Sequence, residues 1–141
     1  MTLDRSAHTT SFVVFSGTTV DWAIRAETIR EVVSEADWDG DVPFDVAALW
    51  GDAGPPDVTH ARVLVVRTRA GLRGIRAGRI TYRSVDMGRV CPLPDILARA
   101  PASAFVAGIV FEDAHPALVV LDPEGLSYDR AGQSARFIAH A

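Results

Sequence analysis

The stretch FVAGIVFEDAHPALVVLDPEGL, Phe105 to Leu126, constrains the fold most, because it spells two strands, the turn between them and the stop that follows. Val106, Ile109, Val110 and Phe111 form one run of β-formers, and Leu118 to Leu121 a second. Glu112 to Pro116 supply polar turn residues between them, so the segment reads as a hairpin with at least one face in a core. Asp122 then offers a carboxylate cap, and Pro123 lacks only an N–H that a first helical position does not use. The second strand is therefore expected to run straight into a short helical turn that Gly125 ends.

The same punctuation recurs along the chain. Ser11 to Phe15 and Val20 to Ile24 flank Ser16-Gly17-Thr18-Thr19, and Val20, Trp22 and Ile24 alternate with Asp21, Ala23 and Arg25, which predicts a hairpin with one solvated edge. Ala26 to Val33 fits a short helix or a short strand, with the adjacent β-branched residues leaning toward strand. Ser34 to Asp41 reads as loop, and VPFDVAALWG as an extended entry into a short helix capped by Asp45 and stopped by Gly51. Asp52 to Asp57, with Gly54, Pro55 and Pro56, is a loop. Arg62 to Thr68 and Leu72 to Arg76 make another hairpin about Arg69-Ala70-Gly71. Ile80 to Val85 follows as a strand whose arginines alternate with apolar residues, as on a wet face, and Pro94 to Arg99 is a one- to two-turn helix. Many short strands, close glycine turns and brief helices point to an all-β fold of closed or partly closed antiparallel barrels.

At 141 residues and 48% hydrophobic content the chain has the material for one domain with a core that needs no disulfide or metal. Residues 1–10 are expected to form a flexible leader, 11–129 the domain and 130–141 a tail. No run approaches the ~18–20 apolar residues of a membrane span, and the first ten residues are too polar for a secretory signal, which places the chain in the cytoplasm. Cys91, beside Pro92 in an apolar run, is expected to be a packed, inert thiol.

The net charge of −4 hides a segregation. From Asp21 to Asp57 ten acids face only Arg25 and Arg30, while from Arg62 to Arg89 eight arginines face only Asp86. Either the two segments are neighbours that offset one another, or the arginines meet an outside partner. The residues for the second case are Arg67, Arg69, Arg73, Arg76, Arg79 and Arg83, a basic patch for nucleic acid or an acidic protein. Tyr82 is the lone aromatic there and the chain is acidic overall, which argues against base stacking.

Catalytic signatures are sparse. His8, His60, His115 and His140 lack an obvious partner, and Asp113 with His115 at a hairpin tip reads first as a pair of solvated turn residues, second as a small hydrolase site. No cysteine pair or i, i+4 histidine pair exists, and Asp37, Asp39, Asp41 and Asp45 miss the glycine and terminal glutamate of a calcium loop. Gly71, Gly74 and Gly78 fit neither a P-loop nor a dinucleotide fingerprint. No enzyme activity, cofactor, metal or small-molecule substrate is expected.

In this order and spacing the elements resemble the CheW-like family, the coupling domain of bacterial chemosensory systems, over roughly residues 11 to 126. FVVFSGTTVDWAIRAETIREVV is similar to the family's first hairpin and following valine-rich strand, and VPFDVAALWG to its proline, aspartate and short helix. RVLVVRTRAGLRGIRAGRI is similar to its second hairpin, VCPLPDIL to its proline-leucine-proline entry, and VAGIVFEDAHPALVVLDPEGL to its closing hairpin. The resemblance implies two packed five-stranded SH3-like barrels on a shared core and a non-enzymatic adaptor. Its partners would be a methyl-accepting chemoreceptor, a CheA-type histidine kinase, or both, in receptor–kinase clusters. It implies receptor contacts at Ile29, Glu31 and Val33, and kinase or partner contacts at Asp45 and Leu49. Trp38 and Trp50, aromatics in and near a short acidic loop, are separate candidates, either interface anchors or covers of the core. Ile29, Val33 and Leu49 read equally well as core residues. Between Val33 and Val42 the family carries a longer segment with an arginine-glycine pair, where this chain has SEADWDGD; Gly78 stands where members commonly carry an aspartate. A divergent or accessory member is implied, one that keeps part of the binding repertoire.

Overall fold

The computed structural model describes residues 9–17, 19–50, 61–93, 104–112, 115–128 and 135–136. The expected Pro94–Arg99 helix, the Gly51 stop and the 52–57 loop lie outside them. The protein is all-β with brief helices: β1 (Thr9–Ser16), β2 (Asp21–Arg25), β3 (Ile29–Ser34), α1 (Val46–Trp50), β4 (Arg62–Thr68), β5 (Gly71–Ala77), β6 (Ile80–Asp86), β7 (Val106–Val110), β8 (Leu118–Leu121), β9 (Ser127–Tyr128) and β10 (Ala135–Arg136). The first sheet has the order β6-β1-β2-β8-β7 and the second β3-β4-β5, while β9 pairs with β10.

The first sheet comes close to a closed barrel. Leaving its β6 edge, the chain makes a 3₁₀ turn at Met87–Arg89, where Asp86 Oδ1 accepts the Gly88 N–H at 2.9 Å. Cys91 then exchanges two backbone hydrogen bonds with Ile109 of β7, at 2.8 and 2.9 Å, so chain leaving one edge pairs with the other. Gly108 permits this approach, because a Cβ there would lie 2.8 Å from the Cys91 carbonyl oxygen and 2.6 Å from a Val90 methyl. Arg83 of β6 spans the same gap to Glu112 at 2.5 Å.

Three strands of this sheet bury both faces. Phe12, Val14, Ala23, Val85, Val110, Leu118 and Val120 fill the interior, with Met87 and Val90 against them. The alternate residues Val13, Phe15, Trp22, Ile24, Val119 and Leu121 point the other way, into a seam shared with Phe44, Leu64, Val66 and Ile75 of the second unit. Trp22, 0% exposed, is the largest of these and meets Trp50 edge-to-face at 5.8 Å. Each such buried side chain stabilises the fold by about 1.5–3 kcal/mol.

Three expectations fall here. The first hairpin has no solvated edge, since β1 also pairs with β6 and β2 pairs in parallel with β8, Trp22 opposite Val119. Nor does β6 keep Arg83 on a wet face: it stands opposite Phe12, on the interior side of the sheet, and is only partly exposed. Cys91, expected to be packed, is exposed, because its place in the fold is set by its backbone pairing with Ile109 while its thiol points outward.

In the second sheet β3 is the outer strand, with a bulge between Ile29 and Glu31. The segment Ala26 to Val33 is thus a 3₁₀ turn at Ala26–Thr28 leading into a strand. The β4–β5 turn is closed by Thr68, whose hydroxyl donates to Gly71 O at 2.7 Å and accepts the Ala70 N–H at 3.2 Å. Gly71 has φ 114°, a left-handed conformation that glycine adopts without strain. On the far side of β5, Phe44 adds a bridge: its N–H donates to Gly74 O and its carbonyl accepts from the Arg76 N–H, both at 2.8 Å.

Both carboxylate caps read from the sequence are present. Asp45 Oδ1 accepts the Ala48 N–H at 3.1 Å at the start of α1, and Asp122 Oδ1 accepts the Glu124 N–H at 3.0 Å at the Pro123–Gly125 turn. Gly125 sits so close to the Ala104 carbonyl that any Cβ would overlap it.

Candidate functional site

Where the two units meet, a groove of about 400 Å³ opens. Met87 and Val90 rise from the turn after β6, Leu121 and Pro123 from the end of β8, and Arg25 and Arg67 reach it from β2 and β4. Its floor is continuous with both cores, since Met87 and Val90 pack on the first barrel's interior while Leu121 belongs to the seam. Glu124, also on the rim, uses both carboxylate oxygens to accept the Arg69 N–H, at 3.0 and 3.1 Å, which ties the β4–β5 turn to the turn after β8. Such a groove, apolar below and charged at the rim, suits a side chain or two of a protein segment.

Its lining residues run from Arg25 to Glu124 and come from turns and strand ends of both units, so no local sequence pattern joins them. Of the candidate binding residues named from sequence, Arg67 lines it, among the described residues.

The remaining candidates are dispersed. On β3, Glu31 is exposed, Val33 is partly buried, and Ile29 packs against the seam. Leu49 and Trp50 of α1 pack there too, Trp50 lying 6.5 Å from Phe105 as well as against Trp22. Asp45 caps α1. Trp38 covers the other face of the second sheet, the side carrying Val63 and Val65, which are 0% and 1% exposed. Its indole lies between Gly40 and Gly74: a Cβ on Gly74 would stand 3.0 Å from Cζ2, and one on Gly40 would overlap the ring. The indole N–H donates to Asp41 O at 2.6 Å. Trp38 and Trp50, both partly buried, lie against apolar surface.

The arginines differ in their surroundings. Arg76 Nε meets Glu35 at 2.5 Å and its Nη1 lies 3.9 Å from Asp45, so acidic and basic segments are neighbours in space as charge offset requires. Arg83 is committed to Glu112, and Arg73 is partly buried with its Nη1 donating to Leu72 O at 3.0 Å. Arg67, Arg69 and Arg79 are exposed. His115 is exposed as well, its N–H 3.4 Å from Glu112 O, whereas Asp113 lies outside the described residues, as do His8, His60 and His140. No group of three or more histidine, cysteine, aspartate or glutamate side chains converges as a metal site among the described residues. No helix among them is long and apolar enough to cross a membrane.

Comparison by sequence finds little. No family model matches the chain, and no curated protein matches it in sequence. Comparison by structure aligns it with the scaffolding protein TtCheW from Thermoanaerobacter tengcongensis, with a TM-score of 0.63 and 16% identity over 79% of this chain and 88% of that one. The protein has the CheW-like all-β fold.

Proposed function

We propose that the chain is a non-enzymatic adaptor of a chemosensory pathway, acting in the cytoplasm, that couples a methyl-accepting chemoreceptor to a CheA-type histidine kinase or binds one of the two. The observation that carries this reading is the shared architecture with a CheW scaffold along most of both chains. The seam groove supports it, since an adaptor works through shaped apolar surface with a polar rim and needs no titratable group of altered strength. Arg67 at the rim and exposed Glu31 on β3 are the contacts assigned to the partners. A basic patch acting on nucleic acid has less behind it, because Arg76 and Arg83 are already paired with acids.

The test is co-purification of the full chain with the cytoplasmic hairpin of a chemoreceptor and with the regulatory domain of a CheA-type kinase from the same source. Retention of at least one is expected, with Arg67→Glu weakening it and Arg69→Glu with Arg79→Glu leaving it intact. If neither partner is retained, the adaptor reading fails whatever the fold. If the Arg69 and Arg79 pair alone abolishes association, the basic-patch reading replaces it.

A further inference from the structure

Between two firmly hydrogen-bonded points, Ser34 opposite Arg62 in the β3–β4 ladder and Phe44 bridged to β5, the chain crosses the second sheet as a strap with no strand pairing of its own. We propose that residues 35–41 form a charge-latched plug, one that lifts from the sheet as a unit, withdraws Trp38 and bares the Val63 and Val65 face while both sheets stay folded. The strap holds by two devices. One is the indole seated on Gly74 between Val63 and Gly40. The other is Arg76, which gathers Glu35 and reaches Asp45.

Its remaining ties are weak: the Glu35 N–H reaches Ala61 O at 3.4 Å and the Trp38 N–H reaches Glu35 O at 3.3 Å, the latter within the strap itself. Asp37, Asp39 and Asp41 are exposed and repel one another, so the strap carries charge that favours its departure. The latch is open to solvent, with Arg76 and Glu35 side chains 44% and 36% exposed, and salt screens it. Segments whose ties face solvent open below the global unfolding transition, and apart from the indole's seat this one is held by such ties. The device does not depend on which partner the protein binds.

Thiol labelling of the covered face reads the motion directly: Val65→Cys on a Cys91→Ser background, in the full chain, is followed with a thiol reagent. The expected rate is nearly flat in low urea, because local opening exposes little surface, while amides of β1 and β4, followed by hydrogen exchange, respond steeply. Arg76→Gln, or raising salt, speeds labelling roughly two- to fivefold and leaves β1 and β4 unchanged. As a second readout, Val63→Cys on the same background is labelled with the same salt dependence and the same indifference to urea. Labelling that tracks β4 exchange in urea, or ignores both Arg76→Gln and salt, makes Trp38 a permanent core residue and overturns the proposal.

Discussion

Strands β1, β2 and β8 of the first sheet bury side chains on both faces, whereas β4 of the second has one face in the seam and the other closed over by an indole brought in from a loop. The difference lies in redundancy. The first interior is filled by residues from β1, β2, β6, β7 and β8, so loss of one leaves many neighbours in place. Cover of the Val63 and Val65 face depends on Trp38, and Trp38 in turn depends on two glycines and one arginine. Distributed packing makes a rigid scaffold; concentrated packing makes a place that a single substitution can change.

The sharpest way to break the contrast is to strike the element both sheets share. Trp22 is fully enclosed in the seam between Trp50 and Phe105, and Trp22→Ala is expected to cost about 3–5 kcal/mol, a large share of a typical domain's stability. Urea unfolding should show one transition moved far to lower denaturant for both sheets together. Separate transitions for β1 and β4, followed by exchange, would mean that the seam does not join the units energetically.

Trp38→Ala comes next, at about 2–4 kcal/mol, because it removes a partly buried indole that lies against Val63 over the sheet. Gly74→Ala probes the same seat from below: its Cβ would stand 2.8 Å from Val63 Cγ1 and 3.0 Å from the indole, for a cost of about 1–3 kcal/mol. The two should be strongly non-additive, since once Trp38 is gone the alanine no longer meets the indole. Additive losses in a double-mutant cycle would show that the indole does not rest on Gly74.

How much of this was legible in the sequence follows the range of the interactions. Local features were: the Asp45 and Asp122 caps, the β4–β5 turn and the closing hairpin all depend on residues within a few positions of one another. The parallel pairing of β2 with β8 joins Asp21 with Leu118 and leaves no local trace. A signal did exist in the unbroken apolar runs FVVF and LVVL, since strands without alternation are strands buried on both faces, and reading the first hairpin as one with a solvated edge passed over it. Trp38 was singled out for its setting, yet its seat on Gly74, 36 positions later in the numbering, belongs to the sheet's register and not to any motif. The seam groove was illegible for the same reason, being assembled from turns of both units.

The smaller effects separate the ion pairs that Arg83 and Arg76 make, one arginine in each unit. Arg83 and Glu112 are 27% and 21% exposed and close the gap between β6 and β7, so Arg83→Met, which strands Glu112 at the barrel's interior side, is expected to lose about 1–2 kcal/mol. Double substitution with Glu112→Leu should recover much of that, because the cost lies mainly in the carboxylate left without its partner. Arg76→Gln is expected to cost only about 0.5 kcal/mol, since its pairs with Glu35 and Asp45 face solvent. The discriminating measurement is unfolding in low and high salt. The Arg76 effect should vanish as salt rises, because solvent ions replace what the guanidinium supplied, and the Arg83 effect should persist. An Arg76 loss that equals the Arg83 loss and survives salt would mean that the acidic strap is held as firmly as the first barrel is closed, and the contrast between the two units would no longer stand.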